Sequence, residues 1–411
     1  MSARNNANRT RLTAILVAFG ALVIFLPGIG NPADRVFDEF KYVDPAKAML
    51  AGTHDTSPDG PPLGKLILAS SIRLLGDNPL GWRIPSAIFG ALTLAGVFLL
   101  TQLLLSDYAL ALTAVAVTLL DNFLYVFSRT GMMDIFLVCF ALWAILAFAA
   151  ALMVEDLDVK QRRALLTLSG ILLGLACACK WNGMDELGVV IVIGAGLLVW
   201  PRRTKNPEAS QYAANLQEAG TRWFAVSFSV LPALVYLGTF WPYCRMLHLP
   251  FSGAGLLSLN AYIWRFHLAV VGNRTIIEPW YEWPLQTQPT RALSYLVGNW
   301  YVMWAGLVAF LFCLRRLGRN LPETMIVLLY SANLLQWAVT PQSCMFYYYY
   351  FPAAMFLGLA IPVALHRLPA RVYGIRLSVV ATLPALCVFA YCFSRMAHLP
   401  TPFDCMLGCW P

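Results

Sequence analysis

Long apolar runs recur along this chain and limit its fold more than any other feature. A run of about 20 apolar residues can cross the hydrocarbon core of a bilayer as an α-helix. About eleven such runs are present, so the sequence predicts an all-α, polytopic protein of the lipid bilayer. The predicted spans lie near residues 12–30, 82–105, 109–127, 132–153, 164–181, 184–200, 223–241, 292–314, 322–340, 347–365 and 372–393.

The composition agrees with a membrane protein. Hydrophobic residues make up 59% of the 411 residues and charged residues only 12%, which is too apolar for a soluble domain. We therefore expect a single integral membrane domain over residues 1–411. Arg4, Arg9 and Arg11 precede the first apolar run, but no small-x-small cleavage site follows it, so we expect an uncleaved first helix.

The distribution of Lys and Arg predicts the orientation. If the N-terminus is cytoplasmic, the cytoplasmic loops carry a large positive excess, as the positive-inside rule requires. The net charge of +8 is then an orientation signal, and we expect no nucleic-acid partner. The basic residues on the predicted cytoplasmic side are Lys160, Arg162, Arg163, Arg202, Arg203, Lys205, Arg222, Arg315, Arg316, Arg319, Arg367, Arg371 and Arg376.

Two predicted outer segments, residues 31–81 and 242–291, are long enough to carry a functional site. The cytoplasmic stretch 201–222 is instead typical of a plain connector. Inside the first outer segment, apolar residues recur at helical spacing over residues 63–75 with Lys65 and Arg73 between them. This pattern predicts a helix that lies in the plane of the membrane interface.

An adjacent acidic pair, Asp38 and Glu39, follows the first predicted span. A charge near hydrocarbon costs about 2.5–3.5 kcal/mol even on permissive scales, so it has either a function or a partner. The functional interpretation is a carboxylate that takes a proton from an attacking hydroxyl. The alternative is that the two acids pair with Arg35 and Lys41 as solvated interface charges.

Several motifs, in this order and spacing, resemble the protein O-mannosyltransferase family. The run from Leu120 to Asp134 resembles the turn between that family's third and fourth helices, with its Ser-Arg and Met-x-Asp elements. Asp38-Glu39 resembles the acidic pair of the family's first loop. Further similar elements are Pro61-Pro62-Leu63-Gly64-Lys65, Trp82-Arg83-Ile84-Pro85, Lys180-Trp181-Asn182-Gly183, Trp283-Pro284-Leu285, Gly298-Asn299-Trp300 and Met345-Phe346-Tyr347-Tyr348-Tyr349-Tyr350-Phe351-Pro352.

The resemblance implies a multi-helix glycosyltransferase of the GT-C type, in a short form without a soluble sugar-binding insert. It implies transfer of a sugar, with mannose expected, from a polyprenyl-phosphate carrier to Ser or Thr of an acceptor protein or peptide. The transfer proceeds with inversion on the non-cytoplasmic face. In this reading Asp38 is the catalytic base, and Glu39 orients the sugar or the acceptor.

The departing lipid phosphate gains negative charge, and preorganised cations suit that demand. Arg83, at the outer end of the second predicted helix, is the first candidate for a cation that binds this phosphate. Asp134 is expected to hold Arg129 or the first loop through a salt bridge. The alternative for each cation is a snorkelling residue at the interface. The substrate-binding candidates are Arg83, Arg129, Lys65, Lys180, Asp134 and Asp59.

We expect no metal or other cofactor. Asp156-Leu157-Asp158 fits a short metal-binding acidic pattern, but it falls in a brief predicted turn. In addition, a lipid monophosphate donor does not need the metal ion that a nucleotide diphosphate leaving group usually needs. The ten cysteines are not expected to form a metal array, because most lie inside predicted spans and Cys177-Ala178-Cys179 has the wrong spacing for the usual zinc pairs. A disulfide between Cys405 and Cys409 stays open.

Two departures from the family pattern leave the donor sugar and the acceptor open. Gly60 stands where the family usually has His before Pro-Pro, and the segment from Ile277 to Trp283 lacks the family's His-Pro-Tyr element. A related transferase that glycosylates a lipid or a cell-wall glycan is therefore the alternative. A lipid-linked-sugar transporter is disfavoured, because the charges crowd the outer helix ends and no matched halves are visible.

Overall fold

The computed structural model describes residues 2–199, 207–269, 278–286, 296–340, 345–369, 371–372 and 375–396. Within these ranges most residues are helical, and the sole sheet is a two-stranded antiparallel ribbon of Arg371–Val372 with Ile375–Arg376. The prediction of an all-α chain is confirmed. Cys405 and Cys409 lie outside the described residues, as do residues 201–206 of the connector predicted at 201–222.

Seventeen α-helices occur in the described ranges and are numbered in chain order. The first nine are α1 (Ser2–Phe25), α2 (Glu39–Leu50), α3 (Leu63–Leu75), α4 (Pro79–Leu105), α5 (Tyr108–Leu119), α6 (Asn122–Phe127), α7 (Asp134–Met153), α8 (Val159–Cys179) and α9 (Gly183–Val199). The others are α10 (Pro207–Ala219), α11 (Thr221–Phe228), α12 (Val230–Met246), α13 (Gly253–Ala269), α14 (Trp300–Leu314), α15 (Leu321–Val339), α16 (Phe351–Leu365) and α17 (Leu377–Met396). Short 3-10 turns occupy Trp283–Leu285 and Tyr347–Tyr350.

Six helical segments among the described residues are long and apolar enough to cross a membrane, and three more are apolar but shorter. The protein is an integral membrane protein, but eleven spans are not confirmed. The predicted spans 184–200 and 322–340 are helices α9 and α15, yet they belong to neither group. The six are Asn5–Phe25, Pro79–Leu105, Asp134–Met153, Val159–Cys179, Thr221–Met246 and Tyr347–Leu365.

Helices α7 and α16 form the centre of the bundle. Between Ile135 and Met153, α7 has no charged residue, and a helix that is apolar on every side is stable only when it is surrounded. It packs against α4 and α8, while α16 packs against α14, α15 and α5. Helix α1 lies at the periphery and exposes Leu16 and Phe19, as a lipid-facing helix does.

Local sequence explains where several helices begin. The Asn78 side chain accepts hydrogen bonds from the backbone N–H groups of Leu80 and Gly81, and Pro79 occupies the first turn of α4. Asp158 and Gln161 form a capping box at the start of α8. The acidic pattern at Asp156-Leu157-Asp158 therefore includes a helix cap, which is a structural role.

The loop regions differ from the prediction in two places. The stretch 201–222 is not a plain connector, because α10 occupies Pro207–Ala219 and buries Leu216 among its neighbours. The outer segment predicted at 242–291 begins later than expected, because α12 continues to Met246, and it contains the helix α13. The helix predicted at 63–75 is present as α3, and it buries Lys65.

Candidate active site

The acidic pair lies where the chain turns into α2. Phe37 adopts a left-handed backbone conformation, with φ of 54°, which is costly for a bulky residue and marks a backbone that its surroundings hold in place. Its ring packs near Phe127 and Tyr348. This turn makes Asp38 the residue before α2 and Glu39 its first residue, so the two neighbouring carboxylates point to different surroundings.

Glu39 is fully buried and forms an ion pair with Arg83. The Arg83 Nε donates to Oε1 at 2.8 Å, and Nη2 donates to Oε2 at 2.8 Å. The backbone N–H of Gly131 also donates to Oε1, and that of Val36 donates to Oε2. Four donors therefore saturate this carboxylate, which joins α2, α4 and the turn before α7.

Arg83 has no donor left for a phosphate. Besides the two bonds to Glu39, Nη1 donates to the carbonyls of Ile29 and Pro32, and Nη2 donates to that of Asp34. These bonds use all five N–H groups of the guanidinium, and the residue is 1% exposed. Glu39 and Arg83 thus hold the first loop in place in this arrangement, and the substrate roles expected for them from the sequence stay predictions.

A cavity of about 160 Å³ lies beside the pair, at the end of the bundle where α8 and α15 finish. Asp38, the other acid of the pair, reaches it. Of the other candidates, Asp59, Lys65 and Lys180 line it, whereas Glu39, Arg83, Arg129 and Asp134 do not. Further lining residues are Lys41, Tyr42, Gly60, Pro61, Met133, Cys179, Trp181, Asn182, Phe266, His267, Trp337, Phe346 and Tyr349.

Asp38 is partly exposed, and two groups hold its Oδ2. The Tyr348 hydroxyl donates to Oδ2 at 2.6 Å, and the Lys41 ammonium lies 3.4 Å from the same atom. Tyr348 is itself buried. The carboxylate is thus fixed in direction by a hydrogen bond from a residue 310 positions away, while 20% of its side chain stays exposed.

Lys180 lines the cavity and is a partly exposed cation. Its Nζ donates to Asp134 Oδ1 at 2.8 Å and lies 5.1 Å from the centre of the Tyr349 ring. The lysine side chain is 21% exposed, whereas that of Asp134 is 3% exposed. Asp134 therefore orients Lys180, which corrects the expectation that it would hold Arg129 or the first loop.

Lys65 lines the cavity but is almost fully buried. Its Nζ donates to Asp55 Oδ2 at 3.0 Å and to the carbonyl oxygen of Ser57, and Asp59 Oδ1 lies 4.0 Å away. The Tyr243 hydroxyl also donates to Asp55. Two carboxylates already surround the Lys65 ammonium. The main role of Lys65 is therefore to hold the Asp55–Asp59 turn in place, and less of its charge is available to a ligand.

Arg129 is bound to the chain's own backbone. Its Nη1 donates to the carbonyls of Phe25 and Pro27, and its guanidinium lies 5.2 Å from the centre of the Tyr125 ring. Those carbonyls belong to the last residue of α1 and the turn after it, where the helix leaves its own acceptors unsatisfied. Arg129 therefore closes the end of α1 in this structure and lies outside the cavity.

Several site residues were not identified as such from the sequence. Tyr42, in the α2 helix, lines the cavity, and burial, followed by the charges of Asp134, Asp38 and Asp59, raises its pKa well above the ordinary value. It is therefore a neutral phenol that can donate a hydrogen bond. Trp283, in the family-like element Trp283-Pro284-Leu285, is fully buried and packs against Trp337. No local pattern distinguishes such residues from ordinary interface aromatics.

Comparison with known proteins gives this geometry a context. Residues 59–216 match the family model described as dolichyl-phosphate-mannose-protein mannosyltransferase. A polyprenol-phosphate-mannose–protein mannosyltransferase of Mycolicibacterium smegmatis is 26% identical over 431 residues, covering 86% of this chain and 81% of the relative. An undecaprenyl phosphate-α-4-amino-4-deoxy-L-arabinose arabinosyl transferase of Pseudomonas aeruginosa is 28% identical over 208 residues, covering 48% and 36%.

The fold is also shared with a solved structure. The S. cerevisiae protein O-mannosyltransferase Pmt1–Pmt2 complex bound to the sugar donor superposes with a TM-score of 0.78 at 12% identity, covering 96% of this chain and 91% of that one. The expected GT-C-type fold and the resemblance stated from the motifs are both confirmed. Identity this low transfers the fold, and the activity must be argued from the site.

Proposed function

We propose that this chain, which is related to the protein O-mannosyltransferases, is an inverting glycosyltransferase. It moves a sugar, mannose in the first instance, from a polyprenyl-phosphate carrier to Ser or Thr hydroxyls of proteins. The observation that carries the proposal is one cavity, at one end of a membrane bundle, that contains both an oriented carboxylate and an oriented cation. Asp38 and Lys180 are those groups.

Asp38 acts as the general base. As the acceptor hydroxyl attacks the anomeric carbon from the side opposite the phosphate, the bond between that carbon and the phosphate oxygen breaks. The hydroxyl proton passes to Asp38, and Oδ1 is the oxygen for this step because Tyr348 and Lys41 hold Oδ2. Such a base contributes typically about 10²–10⁴-fold to the rate.

Lys180 stabilises the departing lipid phosphate, which takes the bonding electron pair and becomes more negative. Asp134 fixes the ammonium on one side, and the exposed remainder of the side chain faces the cavity. Tyr42 can add a neutral O–H donor. A preorganised cation of this kind requires no rearrangement as charge develops, so we propose that transfer needs no metal ion.

The reaction takes place on the non-cytoplasmic face. The end of α1 and the starts of α4 and α7 meet beside the cavity, as the bonds of Arg83 and Arg129 to the turn after α1 show. Lys and Arg are enriched at the other end of the bundle, including Arg162 in the first turn of α8 and Arg316 and Arg367 in turns that follow helices. The positive-inside rule assigns that end to the cytoplasm, which supports the proposed sidedness.

A second candidate function is glycosylation of a lipid from the same kind of carrier. The partial match to the arabinosyl transferase supports it. Both reactions use the same base and the same leaving group, so the cavity chemistry does not separate them. The two functions differ in the acceptor, and the experiment therefore compares two acceptors.

The test uses full-length protein reconstituted in vesicles, polyprenyl-phosphate-mannose, and two acceptors, a Ser/Thr peptide and a lipid extract. We expect mannosylated peptide of inverted anomeric configuration, and a fall in kcat of about 10²–10⁴ for Asp38→Asn. The matched control is Asp44→Asn, which removes a carboxylate of the same α2 helix that is 41% exposed and paired with Arg35. It should retain wild-type activity.

Two results would contradict the proposal. Wild-type turnover by Asp38→Asn would remove Asp38 as the base. Product on lipid with none on any peptide would replace the proposed acceptor by the second candidate.

A further inference from the structure

A second cavity lies at the other end of the molecule. It has a volume of about 440 Å³ and a predominantly apolar lining, within the range of about 300–1,000 Å³ that is typical of ligand sites. Helices α9 and α15 reach from one cavity to the other: Asn182 and Trp337, at the start of α9 and in α15, line the first. The apolar lining of the second includes Ile193, Gly196, Leu197, Tyr212, Leu321 and Leu328.

The second cavity has free space next to Gly196. A Cβ atom built on Gly196 would meet no other atom within 4 Å, although the residue lines the cavity. An apolar space open at the surface of a bundle in lipid is not left empty, because its lining would lose the dispersion contacts that a filled space provides. The filler that a membrane supplies everywhere is a lipid acyl chain.

The rim of the second cavity indicates the charge of that lipid. Arg319, Asn320 and Glu208 line it, and exposed Arg315 lies four residues before Arg319. The buried Glu323 carboxylate is shared by two cations, since Arg316 Nε and Arg367 Nε lie 3.0 Å and 3.1 Å from its Oε1. Two glutamates, Glu208 and Glu323, thus stand against four arginines around this cavity, Arg315, Arg316, Arg319 and Arg367. Basic pockets between membrane helices suit anionic head groups.

We propose that the second cavity holds one acyl chain of an anionic phospholipid. The head group lies against the turn at residues 315–319, and the chain runs between α9 and α15. Lipid tails gain little from moving between bilayer and protein, since both are apolar. Selectivity therefore comes from the arginines, and the fit of the chain comes from the volume at Gly196. This site is separate from the proposed transferase chemistry.

The test is lipid retention by full-length protein. The protein is delipidated in detergent, incubated with phosphatidylglycerol or with phosphatidylcholine of the same chains, and examined by native mass spectrometry. The blocking variant is Gly196→Leu, which places a leucine side chain inside the cavity. The control is Gly188→Leu, because Gly188 lies on the same α9 helix, also has no atom within 4 Å of a built Cβ, and does not line this cavity.

We expect wild type and Gly188→Leu to retain one more phosphatidylglycerol than Gly196→Leu. Arg319→Gln should lower the preference for phosphatidylglycerol over phosphatidylcholine by about fivefold, the factor that corresponds to about 1 kcal/mol per arginine near a membrane surface. Soluble glycerol phosphate should not compete. Equal retention by Gly196→Leu and wild type would overturn the proposal, as would displacement by glycerol phosphate or the absence of any retained lipid from wild type.

Discussion

The buried pair of Glu39 and Arg83 gives the sharpest test of the site architecture. Glu39→Gln removes the charge and keeps the shape, which leaves a guanidinium that is 1% exposed with neutral acceptors only. Removing one partner of a buried ion pair costs about 3–5 kcal/mol, because the remaining charge stays desolvated. We therefore expect Glu39→Gln to lower the free energy of unfolding by about that amount.

The measurement is unfolding of purified protein in one detergent, with Asp44→Asn as the control. Asp44 pairs with Arg35 in the same loop, and their side chains are 41% and 38% exposed. Breaking an exposed pair costs at most about 1 kcal/mol, so the two variants should separate clearly. The double variant Glu39→Gln/Arg83→Met should be more stable than the sum of the single effects predicts, since neither charge is then orphaned.

Three results would refute this reasoning. Glu39→Gln could unfold like Asp44→Asn, which would mean that the pair is not desolvated. The double variant could show simple additivity, which would mean that the two residues do not interact. Finally, Arg83→Met could leave stability unchanged and weaken donor binding in the folded fraction, in which case Arg83 would bind the phosphate as the sequence suggested.

Two further changes test the cavity and the packing around it. Lys180→Gln keeps a hydrogen-bond donor for Asp134 but removes the positive charge. Because a hydrogen bond to a charged group contributes about 1.5–3 kcal/mol, kcat/KM for the lipid donor should fall by about tenfold to a hundredfold. Equal initial rates of the variant and the wild type at low donor concentration would argue against this role of Lys180. Gly81→Ala places a Cβ 2.1 Å from the Gly76 carbonyl oxygen, so overpacking should cost about 1–3 kcal/mol in thermal unfolding. Gly253→Ala, with nothing within 4 Å, is its control, and equal melting temperatures would show that α3 and α4 separate freely.

The sequence by itself determined the class of this protein. Apolar runs of membrane length do not need tertiary information to be recognised, because each helix satisfies its own backbone hydrogen bonds in lipid. The order of the motifs around Asp38, Arg129 and Lys180 indicated a resemblance to the family, and the comparisons confirm that resemblance. The number of spans was harder to predict. The apolar runs of α9 and α15 predicted two spans, but both helices also carry polar residues and neither is among the six long apolar helices.

The roles of neighbouring charges were decided by the tertiary structure alone. Asp38 and Glu39 are adjacent in sequence, yet one reaches the cavity and the other is sealed against Arg83, because the backbone turns at Phe37. Likewise, the sequence suggested both Lys180 and Arg129 as phosphate ligands, but their hydrogen-bond partners in the structure leave only Lys180 at the cavity. Those partners, Asp134 and the carbonyls after α1, lie 46 and 102 or more residues away. Which charges face substrate depends on contacts at such distances along the chain, and no local sequence pattern encodes them.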